Sequence, residues 1–322
     1  MKVLYIPIPE IMHPWYEDFI AALGGRYPVE LYDPDQPLEQ QFRGTEVVVE
    51  LGGNLATHEM IDAGAQAGVK LWQISGTGLD EVHVGHFERV GIPLANTPGL
   101  YSGAALAEHA LFLMLCHAKN FRAGQQSISQ RRLCDPINGE LGGKTLGLVG
   151  LGASGGELAQ RASSMGMRVM AVDKVEVPRE MLDRLGVEFF GAPSQLDRIL
   201  GEADYLSLHV PLTAETRHMI RRHTFRKMKP TSVLINVSRG EIVDQAALLE
   251  ALNSGWIGGA GLDVFPDEPV DPGHPLLQSQ KVIATPHVAG VTYETSRRRG
   301  QACADNVVRI AEGLHPLNLV ST

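Results

Sequence analysis

Short apolar runs alternate with stretches of helical period along almost the whole chain. Residues 2–6, 46–51, 70–74 and, more weakly, 93–95 read as strands. Between them, residues 17–23 and 57–67 carry apolar positions at helical spacing, and Thr57 stands where an N-cap belongs. The turn Asn96-Thr97-Pro98-Gly99 interrupts this series, and a long apolar helix over 104–118 follows it. A polar stretch, 120–143, comes next. A second series then begins, with strands expected at 145–149, 168–172, 233–237, 260–265 and 281–285 and a long closing helix over 290–313. Such alternation predicts an α/β fold of parallel sheets covered by helices.

The chain has 322 residues, and single cores stop growing near ~250–300 residues. Two domains are therefore expected, with a boundary near Gly99 and the last helix returning to the first domain. Hydrophobic residues make up 44% of the chain, enough for two cores, so disorder is excluded. The net charge is −9, and the one basic run, Arg297-Arg298-Arg299, reads as a solvated turn of a helix. Nucleic acid is thus not an expected partner. Three cysteines, Cys116, Cys134 and Cys303, form no CxxC pair, which fits a reducing cytoplasm rather than a disulfide framework. The opening MKVLYIPIPE reads as a strand rather than a signal peptide, and no apolar run reaches the ~18 residues of a membrane helix. No metal is expected.

The strongest local signal lies at 144–162. An apolar strand runs into Gly150-x-Gly152-Ala153-Ser154-Gly155, and a helix-favouring segment follows. Gly150 permits a tight turn, Gly152 admits a pyrophosphate against bare backbone, and Gly155 lets the helix pack on the strand. The helix N-terminus then presents N–H groups to the phosphates. The next strand ends in Asp173, placed to take the adenosine ribose hydroxyls and repel a 2′-phosphate. NAD (as NADH in the reducing direction) is favoured over NADP, although Lys174 beside the acid works against that preference.

Three reactive side chains follow later strands: Arg239, Glu268 and His287. Ligands of open α/β sheets bind beyond the carboxyl ends of strands, so the three could meet at one sheet edge. Moving hydride to or from a carbinol carbon needs a group that holds the hydroxyl proton, and histidine titrates in the right range. Glu268 would fix the tautomer of His287, and Arg239 offers a planar fork to a substrate carboxylate. Each residue alone has an ordinary explanation as a turn or surface group; the combination with a phosphate loop favours chemistry.

These residues sit in segments that resemble the D-isomer-specific 2-hydroxyacid dehydrogenases. The matching segments are Asn96-Thr97-Pro98-Gly99, Ala107-Glu108-His109, Gly150-Leu151-Gly152, His209-Val210-Pro211-Leu212-Thr213, Asn236-Val237-Ser238-Arg239-Gly240, Leu262-Asp263-Val264-Phe265, Glu268-Pro269 and Thr285-Pro286-His287. The resemblance implies two Rossmann-like or flavodoxin-like domains with an interdomain active-site cleft: a substrate domain of residues 1–99 plus 290–322, and a dinucleotide domain of 100–289. It implies Arg239, Glu268 and His287 as the catalytic set. Asp263 would hold the nicotinamide carboxamide, and Leu106, His209, Val210, Pro211, Thr216, Val237, Ser238 and Gly290 would lie along the cofactor. Leu51, Gly52 and the backbone of Ser75-Gly76-Thr77-Gly78 would receive the substrate, the last as an anion-binding turn. A homodimer built on the long helix after Gly99 is implied too.

The chain departs from the family pattern in two places. Ala153 and Ser154 stand where Arg-Ile is usual, and Arg131-Arg132-Leu133 occupies the neighbourhood of a family tryptophan. Formate dehydrogenases pair the histidine with glutamine, which argues against formate here. Thr77 stands near the lysine of phosphite dehydrogenase, and Gly52-Gly53-Asn54 lacks the arginine of phosphoglycerate dehydrogenases. A small unphosphorylated 2-hydroxy or 2-oxo acid is the expected substrate, with phosphite- or phosphoglycerate-type activity as an alternative. His13-Pro14-Trp15-Tyr16 is a candidate wall for its side chain, with ordinary packing at a helix start as the simpler account. A cofactor-sensing binding module, as in the corepressors that resemble this family, is the rival from another class.

Overall fold

The computed structural model describes residues 1–320. Ser321 and Thr322, the end of the segment expected to complete the first domain, lie outside the described residues. The chain divides into two compact units, one of Met1–Tyr101 with the segment from Thr292 onward, the other of Ser102–Val291. No described helix is long and apolar enough to cross a membrane.

The first unit holds β1 (Lys2–Ile6), β2 (Val29–Leu31), β3 (Thr45–Glu50), β4 (Leu71–Ile74) and β5 (Leu94–Ala95), all parallel, in the order β2-β1-β3-β4-β5. This is flavodoxin-like topology, with its switch point between β1 and β3. Strand period decides which residues meet which helices. Val3, Tyr5, Val47, Val49 and Leu71 share a core with Trp15, Phe19, Cys303, Ala304 and Val307. Leu4, Ile6, Val48, Trp72 and Ile74 pack instead with Met60, Ile61 and Phe87. Helices Trp15–Leu23 and Tyr293–Ala311 pack so closely that a Cβ on Gly300 would come within 2.9 Å of the Phe19 nitrogen. Thr57 and Thr292 cap their helices by accepting from Met60 N at 3.2 Å and Thr295 N at 3.0 Å.

The packing reading of Trp15 is kept here, and the reading of Arg299 changes. Trp15 is buried and begins its helix inside the apolar core, so the packing account of that segment holds. Arg297 and Arg298 are solvated as expected, but Arg299 is half-buried and does not belong to that face. Its guanidinium lies 5.6 Å from the Trp15 ring centroid and donates to Thr77 Oγ1 at 3.0 Å.

The second unit holds β6 (Thr145–Val149), β7 (Arg168–Val172), β8 (Val187–Gly191), β9 (Tyr205–Leu208), β10 (Val233–Asn236), β11 (Gly259–Leu262) and β12 (Val282–Ala284). The sheet is parallel, in the order β12-β11-β10-β9-β6-β7-β8. The chain starts in the middle, winds to one edge, returns and winds to the other. The crevice of a doubly wound sheet therefore opens between β6 and β9. Helix Gly103–Ala118 covers one face through Ala107, Ala110, Leu113 and Met114. The polar stretch after it contains an unexpected helix, Phe121–Ser129.

Candidate active site

The glycine loop leaves β6 and enters helix Ala153–Ser164 through Gly152. Gly150 adopts φ +96°, and a Cβ there would come within 2.4 Å of the His209 carbonyl oxygen. Only glycine satisfies both demands. A Cβ on Gly155 would stand 2.2 Å from Gly150 O, so the helix seats directly on the turn. At Gly152 the same construction meets nothing within 4 Å. That open cradle faces a helix start with no side-chain cap, which is what a pyrophosphate requires.

Asp173 closes the far side of the crevice. Its Oδ2 accepts from Leu151 N at 2.6 Å and its Oδ1 from Val175 N at 2.9 Å, and each oxygen keeps a lone pair for a ribose hydroxyl. Lys174 turns to solvent, where it lowers the pKa of Glu215 behind the stronger Thr213 hydrogen bond. Ser154 bonds His209 Nδ1 at 2.9 Å, and Ser207 bonds Nε2 of the same ring at 2.9 Å. Burial pushes the His209 imidazole down to about 4, so the ring is neutral beside the glycine loop. Thr216 shapes the segment after β9 by donating to Pro211 O at 2.7 Å and accepting from Thr213 N at 2.8 Å. Leu106 lies beside Gly290, where a Cβ would be 3.4 Å from Leu106 Cδ1. These groups fit a dinucleotide.

Beyond the ends of β10, β11 and β12 the three reactive side chains converge. Val237 is buried, and Ser238 Oγ donates to Leu208 O at 2.7 Å, tying the turn after β10 to β9. Asn236 Nδ2 holds the carbonyl of Arg239 at 2.8 Å. Gly240 is essential to this approach, since a Cβ would fall 2.0 Å from the Phe265 carbonyl carbon. Glu268 Oε1 accepts from Phe265 N at 2.8 Å, and its Oε2 lies 2.6 Å from His287 Nδ1. Burial pushes the Glu268 carboxyl up, but the hydrogen bonds from His287 and Phe265 N outweigh it and the pKa is lowered. The Glu268 hydrogen bond raises His287, against burial and the charge of nearby Arg239. With Nδ1 committed to Glu268 and the side chain 49% exposed, Nε2 is the ring nitrogen outside that pair.

His287 sits at φ +54°, a conformation costly for a side chain with a Cβ. The turn is held by Asp263, whose carboxylate is fully buried. It accepts from Thr285 Oγ1 at 2.6 Å, Val288 N at 2.9 Å and Ala289 N at 2.8 Å, while His287 N donates to Asp263 O at 2.7 Å. His109 adds a hydrogen bond to Thr285 Oγ1 at 2.9 Å. The sequence marks the Ala107-Glu108-His109 segment but gives no reason for it; the contact partners lie far along the chain.

In the other unit, the turns after β3 and β4 lie against each other. A Cβ on Gly76 would stand 3.0 Å from Gly52 O, and Leu51 N and Ser75 N donate to Ile6 O at 3.0 Å and Glu50 O at 2.8 Å. Thr77 Oγ1 donates to Thr97 O at 2.9 Å, and Asn96 Nδ2 donates to Thr77 O at 2.9 Å, so the turn through Gly78 is braced by the Asn96-Thr97 segment.

Residues 111–289 match the family model described as D-isomer specific 2-hydroxyacid dehydrogenase, NAD binding domain. The chain is 39% identical to a glyoxylate reductase of Korarchaeum cryptofilum over 252 residues, covering 76% of this chain and 74% of that protein. It is 33% identical to a glyoxylate reductase of Aeropyrum pernix over 320 residues, covering 95% and 93%. Among solved structures, D-lactate dehydrogenase with NAD+ from Lactobacillus jensenii aligns with a TM-score of 0.83 at 27% identity, covering 100% of both chains.

Proposed function

The chain belongs to the D-isomer specific 2-hydroxyacid dehydrogenase family and is an NAD-dependent oxidoreductase of CH–OH groups, and from that premise we propose that its substrate is a small unphosphorylated D-2-hydroxy acid or the corresponding 2-oxo acid. The observation that carries this reading is the 2.6 Å pairing of His287 Nδ1 with Glu268, within electrostatic reach of Arg239. NAD, when bound, supplies the hydride acceptor, and NADH the donor. Gly150, Gly152 and Gly155 hold its pyrophosphate against the uncapped helix start, with Asp173 on the ribose. Leu106, Pro211 and Gly290 line it.

In the reducing direction, His287 Nε2 holds a proton for the substrate carbonyl oxygen, and Glu268 stabilises the imidazolium before that transfer. Arg239 binds the carboxylate and polarises the adjacent carbonyl. The Ser75–Gly78 backbone is read as an anion-binding turn for a substrate carboxylate. In the oxidising direction neutral His287 takes the hydroxyl proton. Gly52-Gly53-Asn54 offers no cation for a phosphate, which supports an unphosphorylated acid. The Asp173 carboxylate supports NAD over NADP, because it meets a 2′-phosphate with like charge.

The test is NADH oxidation against 2-oxo acids from glyoxylate to phenylpyruvate, with NADPH as a parallel arm. Turnover is expected with NADH and slower turnover with NADPH. His287→Ala is expected to lower kcat by roughly 10²–10⁴-fold, the range of general acid–base catalysis, with NADH binding unchanged. Turnover of the variant at the wild-type rate would sink the acid–base assignment. NADH binding without turnover of any acid would instead favour a cofactor-sensing module.

A further inference from the structure

Glu50 ends β3 with its side chain fully buried, and the chemistry above makes no use of it. A carboxylate sealed in an apolar core is costly unless its oxygens are met by donors. Here they are met. Oε1 accepts from Gly53 N at 2.9 Å and Leu55 N at 2.8 Å, and Oε2 accepts from Trp72 Nε1 at 2.8 Å. Two of those donors are the backbone of the turn after β3. The third is a fully buried indole on β4. The main-chain carbonyl of Glu50 accepts the Ser75 amide at 2.8 Å. One residue therefore grips the Leu51–Leu55 turn through its side chain, the adjacent strand through Trp72, and the start of the Ser75–Gly78 turn through its backbone.

The two turns have little freedom apart from this grip. Gly53 adopts φ +97°, and a Cβ on it would meet Ile74 Cγ2 at 3.0 Å. Gly76 and Gly52 approach backbone to backbone. A small shift in one turn is passed to the other through that contact.

We propose that Glu50 is a positioning residue for substrate: its buried carboxylate sets the shape of the paired turns that receive the acid. This rests on the reading that Leu51, Gly52 and the Ser75–Gly78 backbone bind the substrate carboxylate. Glutamine cannot replace the group. One amide oxygen can serve either the two backbone N–H groups or the indole, and the NH2 then faces a donor on the other side. An unmatched buried donor costs enough to move the turn rather than stay in place.

The experiment compares kcat, KM, the NADH Kd and thermal stability for wild type, Glu50→Gln, Trp72→Phe and Gly76→Ala, using the 2-oxo acid that wild type turns over best. Glu50→Gln is expected to raise KM by roughly tenfold or more, with kcat and the NADH Kd within about twofold. Trp72→Phe keeps a ring against Phe42 and Phe87 while removing one donor; a smaller rise in KM is expected, and it stands in if Glu50→Gln fails to fold. A role confined to stability would lower the amount of active enzyme and thus apparent kcat, leaving KM alone, and that result overturns the proposal. Gly76→Ala separates the two layers. If it raises KM while both Glu50→Gln and Trp72→Phe leave KM unchanged, the turns bind substrate and Glu50 does not position them. If it too leaves KM unchanged, or if wild type turns over no acid, the reading of the turns fails and the inference with it.

Discussion

His287 and Glu268 show how two side chains set one another's protonation. The shared hydrogen bond raises the imidazole and, against burial, lowers the carboxyl. The sign of each contribution follows from linkage. The His287 share of stability is complete below the ordinary imidazole range and is lost as pH rises through its raised folded value. The Glu268 share is present above the ordinary carboxylate range and is lost as pH falls through its lowered folded value. The pair is therefore strongest between those limits. Reduction of a 2-oxo acid needs the protonated ring, so its kcat/KM is expected to fall on the alkaline side, while oxidation of the 2-hydroxy acid rises there. Glu268→Gln is expected to move this limb to lower pH in both directions of reaction. A limb that stays in place would remove Glu268 from the assignment. Residue type and position after a strand made these two candidates, and only the phosphate loop upstream raised them above their ordinary explanations as turn and surface groups. Asp263 was legible only as part of a motif. Its work on the His287 turn depends on three donors that no spacing rule predicts.

At the scale of elements, legibility followed burial. The β1 limits fall where the apolar run does, and β6 and β7 likewise, because strands covered on both faces read as unbroken apolar segments. The edge strand β2 has only partly buried or exposed residues and gave no such run. Helix Phe121–Ser129 was missed because its Arg, Gln and Ser residues dominate the segment and its apolar side chains, Phe121 and Ile128, are exposed rather than buried. The glycine loop was readable because its demands are steric and each falls at a fixed position. Gly155→Ala is expected to weaken NADH binding by about tenfold or more, since the new methyl would lie 2.2 Å from Gly150 O and must displace the helix start. Isothermal titration with NADH measures this directly. An unchanged Kd would show that the helix seats elsewhere when the cofactor is bound.

At the scale of the molecule, the three most exposed large apolar side chains among the described residues lie in the segment after the long helix. Leu133 is 90% exposed, Ile137 91% and Ile128 72%, with Phe112 and Phe121 near half. Patches of this kind usually mark a protein partner. Leu133→Glu with Ile137→Glu is expected to lower the mass of any assembly built on this patch in sedimentation analysis, with the NADH Kd retained. An assembly whose mass the double variant leaves unchanged removes the patch from its interface. Division into two α/β units was legible from chain length and from the break at Asn96-Thr97-Pro98-Gly99. The discontinuity of the first unit has a consequence for biosynthesis. Its sheet is laid down by the first hundred residues, but one face is finished by Cys303, Ala304 and Val307. On the ribosome, the Ser102–Val291 segment has every residue of its own core before those three emerge. The N-terminal unit, first to leave the exit tunnel, is thus the last to complete its core. In that interval Tyr5, Trp15 and Phe19 lack their final cover, the kind of transiently exposed apolar surface that makes a part-folded chain prone to aggregate.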